Sequence, residues 1–431
     1  MAASAITDPD TYLAGVPYDL LARLRAESPV VRIDDFWAVL RHADVRRVLR
    51  DPRLFSSQLG GTQIRDPASP ADLAYVRRMM LNSDPPDHAR LRNLLTRAFT
   101  PRAVAALATR IQGWARDLVA AVADRGECDF ATDVAADLPL RTLADVFGVP
   151  EQDRRLMYDW SNRVIGYQDA EYAVSATVDD ADVTGMARSV LGLRPVPGPD
   201  GRLPDPRGRE GMPDLYAYAR ALAEHKRHHP GDDVMTTLMR HVDDDGGRVS
   251  VAEFENLFWL FSVAGNETLR NGLPGGLLAL LGHPAQYRAL LADRSLLPGA
   301  VEEMLRWWTP VMHFRRTATE DTRLGGADIR AGEKVVVWFS SANRDESIFP
   351  DPDTFDITRT PNDHLSFGHG PHFCLGASLA RIQMRAMFEA VLDQLGEVAL
   401  AGEPVRLRSN FQHGVKNLPI RWHPLDGGSL R

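Results

Sequence analysis

The spacing of apolar residues divides the chain into stretches of two kinds. Over Pro17–Glu27, His42–Arg50 and Ala71–Met80 they recur three and four positions apart, which predicts helices. VVRID and FWAVL flank Asp34–Asp35 and predict a hairpin, and a Gly, Pro and Ser-rich loop spans Ser56–Pro70. The helical period returns over Asp87–Ala123, interrupted near Thr100–Pro101, and over 138–165 with a break at Val149-Pro150, because the residue before a proline avoids the helical region.

A composition shift follows. Residues 194–213 (RPVPGPDGRLPDPRGREGMP) carry many Pro and Gly and few apolar residues, which predicts a loop or partly disordered insertion. Helix resumes from Asp214 to His228, PGDD turns into a further helix, and Asp243–Gly247 makes another turn. Val251–Leu281, the longest apolar segment, reads as a central buried helix in which Pro274 removes a backbone donor and predicts a kink. Helix continues to Trp308. From Thr319 to Ser341 the reading changes to β, with short strands around Gly325–Gly326 and in KVVVWF. An irregular section leads to Cys374, a helix follows over Leu375–Gln394, and short strands end the chain. With no repeat and no linker between two cores, residues 1–431 read as one domain, mainly α with a minor β portion.

Of 431 residues, 44% are hydrophobic and 25% charged, enough to bury a large core. A net charge of −8 gives no broad basic surface for nucleic acid. No run of eighteen apolar residues offers a membrane span, and the N-terminus lacks the basic-then-apolar order of a signal peptide. Two cysteines, Cys128 and Cys374, suit a reducing cytoplasm, so a soluble intracellular protein is expected.

The most specific local pattern is PNDHLSFGHGPHFCLGASLAR. Phe367, Gly368, Gly370, Cys374 and Gly376 space out as F-G-x-G-x-x-x-C-x-G just before an apolar helical stretch. A thiolate ligand needs stabilising, and a cysteine ahead of a helix N-terminus has backbone N–H groups and the helix dipole close by. The glycines allow a tight turn that brings amides toward the sulfur, and such hydrogen bonds set how much electron density it donates to a metal. The plain alternative is a buried structural cysteine in a glycine-rich turn. The loop resembles the haem-binding signature of cytochromes P450, and the resemblance covers essentially the whole chain.

Further motifs carry that resemblance. AGNET, Ala264 to Thr268, lies 106 residues upstream of the cysteine and is similar to the family's oxygen-activation motif. Ala264 and Gly265 would leave room for O2 and substrate, Thr268 would hydrogen-bond the distal oxygen or a water, and Glu267 would relay protons. An ordinary polar patch on a buried helix is the plain alternative. Many relatives carry a second Thr where this chain has Leu269, a departure outside the proton relay. Glu303 and Arg306 share a helix face and can pair. E-x-x-R is common by chance, but here it resembles the family's structural ion pair, with Arg359 as the third partner. The resemblance also implies that His88 and Arg92 (i and i+4), Arg316 and His372 hold the haem propionates, Arg315 being the residue most easily confused with Arg316.

Three features are set aside. Cys128 reads as a small buried hydrophobe. His225, His228 and His229 have a metal-compatible spacing but read as a cationic helix end. Asp243–Asp245 and Gly246 lack the bidentate acid of a calcium loop.

The resemblance implies a triangular, mostly α fold with haem b between the helices of Ala264 and Cys374, and Cys374 as axial iron ligand. It implies a monomer that inserts one oxygen of O2 into a lipophilic small molecule such as a terpenoid, steroid, branched lipid or secondary metabolite. Electrons would come from NAD(P)H through a ferredoxin and ferredoxin reductase, since no flavin or iron–sulfur module is expected in the 57 residues after Cys374. Pocket walls are expected at Leu260, Val263, Ala264, Val311, Met312, His313 and Phe411, with Ser56–Asp84 as a roof and 194–213 in the lid region. Two rival readings are a peroxygenase of the same fold and a non-catalytic haem carrier or gas sensor.

Overall fold

The computed structural model describes residues 2–423 except 68, 99–100, 174–181, 200–202, 207, 234, 237–238 and 240–248. In chain order come α1 (Tyr18–Glu27), β1 (Val30–Ile33), β2 (Phe36–Val39), α2 (His42–Arg50), β3 (Phe55–Ser56), α3 (Pro70–Val76), α4 (Asp87–Ala98) and α5 (Pro101–Ala123). Then follow β4 (Glu127–Asp129), α6 (Asp137–Phe147), α7 (Arg154–Ile165), α8 (Ala170–Ala173), α9 (Gly185–Leu191) and α10 (Pro213–His228). The long helix α11 (Val251–Leu281) leads to α12 (Pro284–Ala292), α13 (Leu297–Trp308), β5 (His313–Ala318), β6 (Thr322–Leu324), β7 (Ala327–Ile329), β8 (Lys334–Trp338) and α14 (Phe339–Ala342). The last elements are α15 (Ala377–Gln394), β9 (Val398–Leu400), β10 (Val405–Arg406), β11 (Val415–Asn417) and β12 (Pro419–Trp422). The architecture is the mainly helical one with small sheets, and among the described residues no helix is long and apolar enough to cross a membrane.

Two compact units share the chain. One comprises Met1–Phe55, Val104–Pro139 and Thr268–Arg431; the other Ser56–Ala103 and Leu140–Glu267. Helix α11 contributes to both, changing unit after Glu267.

The first unit is built on a mixed sheet ordered β1-β2-β8-β5-β3. Strand β8, KVVVW, is buried from Val335 to Trp338, as a central strand covered on both faces must be. It runs parallel to β2 and antiparallel to β5. Val45, Val48 and Leu49 of α2 join Val335, Val337 and Phe339 in one apolar cluster. The Asp34–Asp35 hairpin forms with Ile33 opposite Phe36. Gly325 and Gly326, both at positive φ, make the two-residue turn between β6 and β7.

Three expectations are corrected. The β region starts at His313, not Thr319: HFRRTA reads as polar, yet pairing with β8 buries both arginines in a strand. Helix does not continue unbroken to Trp308; it stops at Leu281 and restarts twice, with prolines in the first turns of α12 and α13, where a missing N–H costs nothing. The helix after the cysteine starts at Ala377 rather than Leu375. Helix α11 passes continuously through Pro274. The turn expected at Asp243–Gly247 lies outside the described residues.

The second unit packs α7, α10 and the first half of α11 around Trp160, whose ring centroid lies 5.3 Å from that of Tyr218 and 6.0 Å from that of Phe258. The described part of 194–213 holds a short 3-10 turn, Arg209–Gly211, and at its last residue the start of α10. It is tied to its own unit by ion pairs: Arg194 to Asp159 at 2.8 Å, Arg209 to Glu255 at 3.0 Å, and Asp205 to Arg65.

Candidate active site

Cys374 sits at the end of an irregular loop, three residues before the start of α15, with its side chain exposed. Its N–H donates to Phe367 O at 2.9 Å, closing the loop on itself. Gly368 and Gly370 adopt φ of +70° and +72°, and a Cβ on Gly370 would stand 2.3 Å from Leu49 O, so α2 packs where only glycine fits. Beyond the sulfur, Gly376 is the N-cap of an eighteen-residue helix, whose unpaired N–H groups and dipole favour a thiolate. Phe373, 40% exposed, lies beside the cysteine. An exposed thiol on a glycine-shaped loop at a helix start fits the axial ligand of a haem.

The loop is braced from α13. Glu303 and Arg306 are wholly buried and pair through two bonds of 2.7 Å. Arg306 also donates to the carbonyls of Asn343, Pro352 and Thr354. Glu303 further accepts from Asp356 N at 2.9 Å and Asn362 Nδ2 at 3.1 Å, and Arg359 Nε lies 3.3 Å away. All three residues expected in the ion pair thus meet at one point. A buried carboxylate with this many donors has its charge compensated.

Sequence reasoning missed a parallel brace. Glu302 takes Arg381 of α15 in a two-pronged pair at 2.6 and 2.7 Å and His364 at 3.2 Å. Burial pushes its carboxyl up, but the hydrogen bonds from Arg381 and His364 win and hold it down at about 2. The Arg381 guanidinium also lies 4.5 Å from the Phe367 ring centroid. Asn343 was missed too: it donates to Thr309 Oγ1 and Ser366 Oγ and accepts from Leu365 N at 2.7 Å. The doubled glutamate in VEEMLRWW was the available signal, since two adjacent acids on a buried helix both need partners.

On α11, Glu267 is wholly buried and its Oε1 accepts from Ser161 Oγ of α7 at 2.8 Å. A Cβ on Gly265 would come within 2.7 Å of Leu143 Cδ2, so glycine allows close helix packing there. Ala264 lies one residue before it and Thr268 follows Glu267 as the first residue of the other unit. Leu260 and Val263 are buried on the same helix.

The expected propionate partners lie in both units. His88, buried, and Arg92, half-buried, are four residues apart on α4. Arg316 is buried in β5, where its Nη1 donates to Arg315 O at 2.8 Å, and His372 ends the 3-10 turn Gly370–His372. Of the expected pocket residues, Met312 N donates to Phe411 O at 3.0 Å, Val311 bridges to Gln412, and the His313 and Phe411 rings lie 5.4 Å apart. Complete burial drives the His313 imidazole down to about 3, so it is neutral. In the second unit the 56–84 segment borders a cavity of about 80 Å³, together with Trp259, Asp205 and Gly208.

Cys128 pairs with Ile420 in the β4–β12 ladder, and burial pushes its thiol up to about 12, as for an inert small hydrophobe. His225 and His229 stack at the end of α10 while His228 contacts Glu224. Among the described residues no cluster of His, Cys, Asp or Glu could hold a metal ion.

Comparison with known proteins gives a consistent answer. The family model described as Cytochrome P450 matches residues 217–396. The chain is 36% identical over 436 residues to a Steroid C26-monooxygenase of Rhodococcus jostii, covering 98% of this chain and 85% of that one. It is 38% identical over 418 residues to a Methyl-branched lipid omega-hydroxylase of Mycobacterium tuberculosis, covering 93% and 90%. Among solved structures, Mycobacterium marinum cytochrome P450 CYP268A2 in complex with pseudoionone superposes with a TM-score of 0.82 at 35% identity, covering 98% of this chain and 99% of that one. The chain belongs to the cytochrome P450 family and is a haem b monooxygenase.

Proposed function

We propose that this enzyme inserts one oxygen atom of O2 into a C–H bond of a steroid, terpenoid or branched lipid. The other atom leaves as water, with two electrons delivered by a ferredoxin and its reductase. The observation that carries the reading is the exposed Cys374 thiol on a loop braced by the Glu303–Arg306–Arg359 and Glu302–Arg381 pairs. Bound at Cys374, the haem would supply the oxygen-activating redox chemistry, and the Cys374 sulfur would tune it by donating charge. His88, Arg92, Arg316 and His372 hold its propionates, and Phe367, Gly376, Ala264 and Gly265 shape its surroundings. Glu267 takes up and releases protons at its carboxylate, and the Thr268 hydroxyl positions the next proton acceptor. Leu260, Val263, Val311, Met312, His313 and Phe411 exclude water from the substrate. Such a wall suits an apolar molecule, in keeping with the names of the relatives.

Asp205 and Gly208 bring 194–213 to the rim of the 80 Å³ cavity, which supports a role for this segment in substrate access. The two units act as one catalytic domain, working as a monomer in the cytoplasm.

The test is the carbon monoxide difference spectrum of the dithionite-reduced protein beside that of Cys374→Ala. A long-wavelength Soret band, lost in the variant, is the expected result. A spectrum of imidazole type, unchanged by the substitution, overturns the reading. Turnover with a ferredoxin system and not with peroxide alone separates the monooxygenase from a peroxygenase.

A further inference from the structure

Among the described residues, four side chains in the first half of α11 leave buried polar atoms without a protein partner: Asn256 Oδ1, Trp259 Nε1, Ser262 Oγ and both amide atoms of Asn266. None is more than 8% exposed, and Ser262 and Asn266 are wholly buried. At 100° per residue all four fall within about a third of the helix circumference, along a rise of about 15 Å. One orphaned polar atom in an interior is a local defect; five on one helix face form a pattern. Polar atoms that the protein leaves unsatisfied are met by ordered water, which needs a polar, roomy site with several partners.

The neighbours of this face change along its length. Trp259 lines the cavity shared with the 56–84 segment and with Asp205 and Gly208. Asn266 directly precedes Glu267, whose Oε1 accepts from Ser161 Oγ at 2.8 Å. Every residue in this path belongs to the same compact unit.

We propose that the Asn256–Trp259–Ser262–Asn266 face holds a file of ordered water that carries protons from the cavity to the Glu267 carboxylate, with Ser161 as its positioning residue. The inference rests on the reading of Glu267 as the proton-delivering acid. Each turnover consumes one substrate C–H, one O2, two electrons from the ferredoxin and two protons, and yields one alcohol and one water. Those two protons enter through the file: the water nearest Glu267 gives a proton to the carboxylate and regains one from the water behind it. The carboxylate passes its proton on before taking the next, so no net charge accumulates in the interior. Ser161 spends its O–H on Oε1 and fixes the carboxylate's orientation.

The experiment uses the full-length haem-loaded protein with a ferredoxin and reductase, oxidising NADPH without added substrate, so that O2 takes two electrons and two protons to hydrogen peroxide and no substrate need be known. Ser262→Ala and Asn266→Leu are compared with wild type and with Glu267→Gln. Expected are a fall of about three-fold or more in NADPH oxidation for each file variant, a larger fall for Glu267→Gln, and a rise in the D2O effect on the rate. Ser161→Ala raises the D2O effect as well, and Ser161→Thr restores it. A crystal structure of the wild type supplies the readout that does not depend on activity: water within hydrogen-bonding distance of Ser262 Oγ and both Asn266 amide atoms. A dry face in that crystal overturns the proposal. So do file variants that match wild type while Glu267→Gln is slow. If Glu267→Gln itself matches wild type, the reading of Glu267 fails and takes the relay with it. Should Asn266→Leu not fold, Ser262→Ala, which removes one atom, carries the test.

Discussion

Glu303 on α13 and Asn266 on α11 are both wholly buried polar side chains, and the protein treats them in opposite ways. Both oxygens of Glu303 accept bonds from several donors across α13 and the segment 356–362, whereas the Asn266 side-chain amide meets no partner among the described residues. The first arrangement is saturated and fixes the loop ahead of Cys374. The second leaves its hydrogen-bonding capacity to solvent. Rigid support and proton supply make different demands on the same kind of atom, and the contrast predicts what substitution does in each place.

The largest effect is expected at the brace. Arg306→Leu strands the buried Glu303 carboxylate and costs about 3–5 kcal/mol, measured as a fall in the urea midpoint of unfolding. Replacing both by leucine recovers part of that loss, because the buried carboxylate goes with its main partner and Arg359 keeps its bonds to the Pro350, Asp351 and Thr354 carbonyls. If the single variant is as stable as wild type, the pair carries no such strength and the contrast with Asn266 collapses.

Acid should then dissect the braces. The Glu302 carboxyl is held at about 2 against an ordinary 4.5, so the unfolded chain binds the proton first as pH falls. Its contribution is complete above pH 4.5 and is lost progressively toward pH 2. Glu302→Gln is expected to flatten the pH dependence of stability in that window, by on the order of 1–2 kcal/mol once solvent screening is allowed for. His313 and His413 lie higher on the scale. Burial holds both imidazoles at about 3 from an ordinary 6.5, so their contribution is present above pH 6.5 and fades as pH drops toward 3. Thermal unfolding of His413→Phe at pH 7 and at pH 5 separates the two stages: its deficit relative to wild type shrinks at pH 5 while that of Glu302→Gln stays constant.

What the sequence disclosed follows the same division. The cysteine loop was legible because glycines at positive φ and a helix start leave fixed marks at fixed spacing. The three members of the Glu303 pair, brought together by α13 and the loop before the cysteine, were also within reach, since E-x-x-R puts two charges on one face. For Glu302–Arg381 only half was within reach: the doubled glutamate says that Glu302 needs a partner, but Arg381 is 79 residues away and nothing local points to it. Strand β5 escaped for a related reason. Its buried arginines break the apolar pattern, and it is pairing within the sheet, with β8 above all, that makes HFRRTA a strand. The orphaned atoms of α11 were invisible in principle, because in sequence an Asn on an apolar helix looks the same whether or not its amide finds a partner.

The smallest effect on stability, and the most specific on function, is expected at the rim. Arg65 and Asp205 pair with side chains 55% and 31% exposed, so Asp205→Asn costs about 0.2–1 kcal/mol. A pair this weak does little to hold the unit together, while Arg194–Asp159 and Arg209–Glu255 still anchor either end of the 194–213 segment. Its place is nonetheless on the wall of the cavity that Trp259 lines, so its loss should be felt by molecules entering there. Asp205→Asn is therefore expected to leave the unfolding midpoint nearly unchanged while raising the association rate of a lipophilic probe such as testosterone, followed by the haem spin state in a stopped-flow mixer. The rate gain should shrink as salt is added to both proteins, because salt already screens the exposed pair in wild type. An association rate unaffected by both the substitution and salt would mean that the cavity edge at Asp205 is only a surface dent. The insertion would then owe its four ion-paired residues to folding alone, counting Asp214 just beyond its end with Arg163.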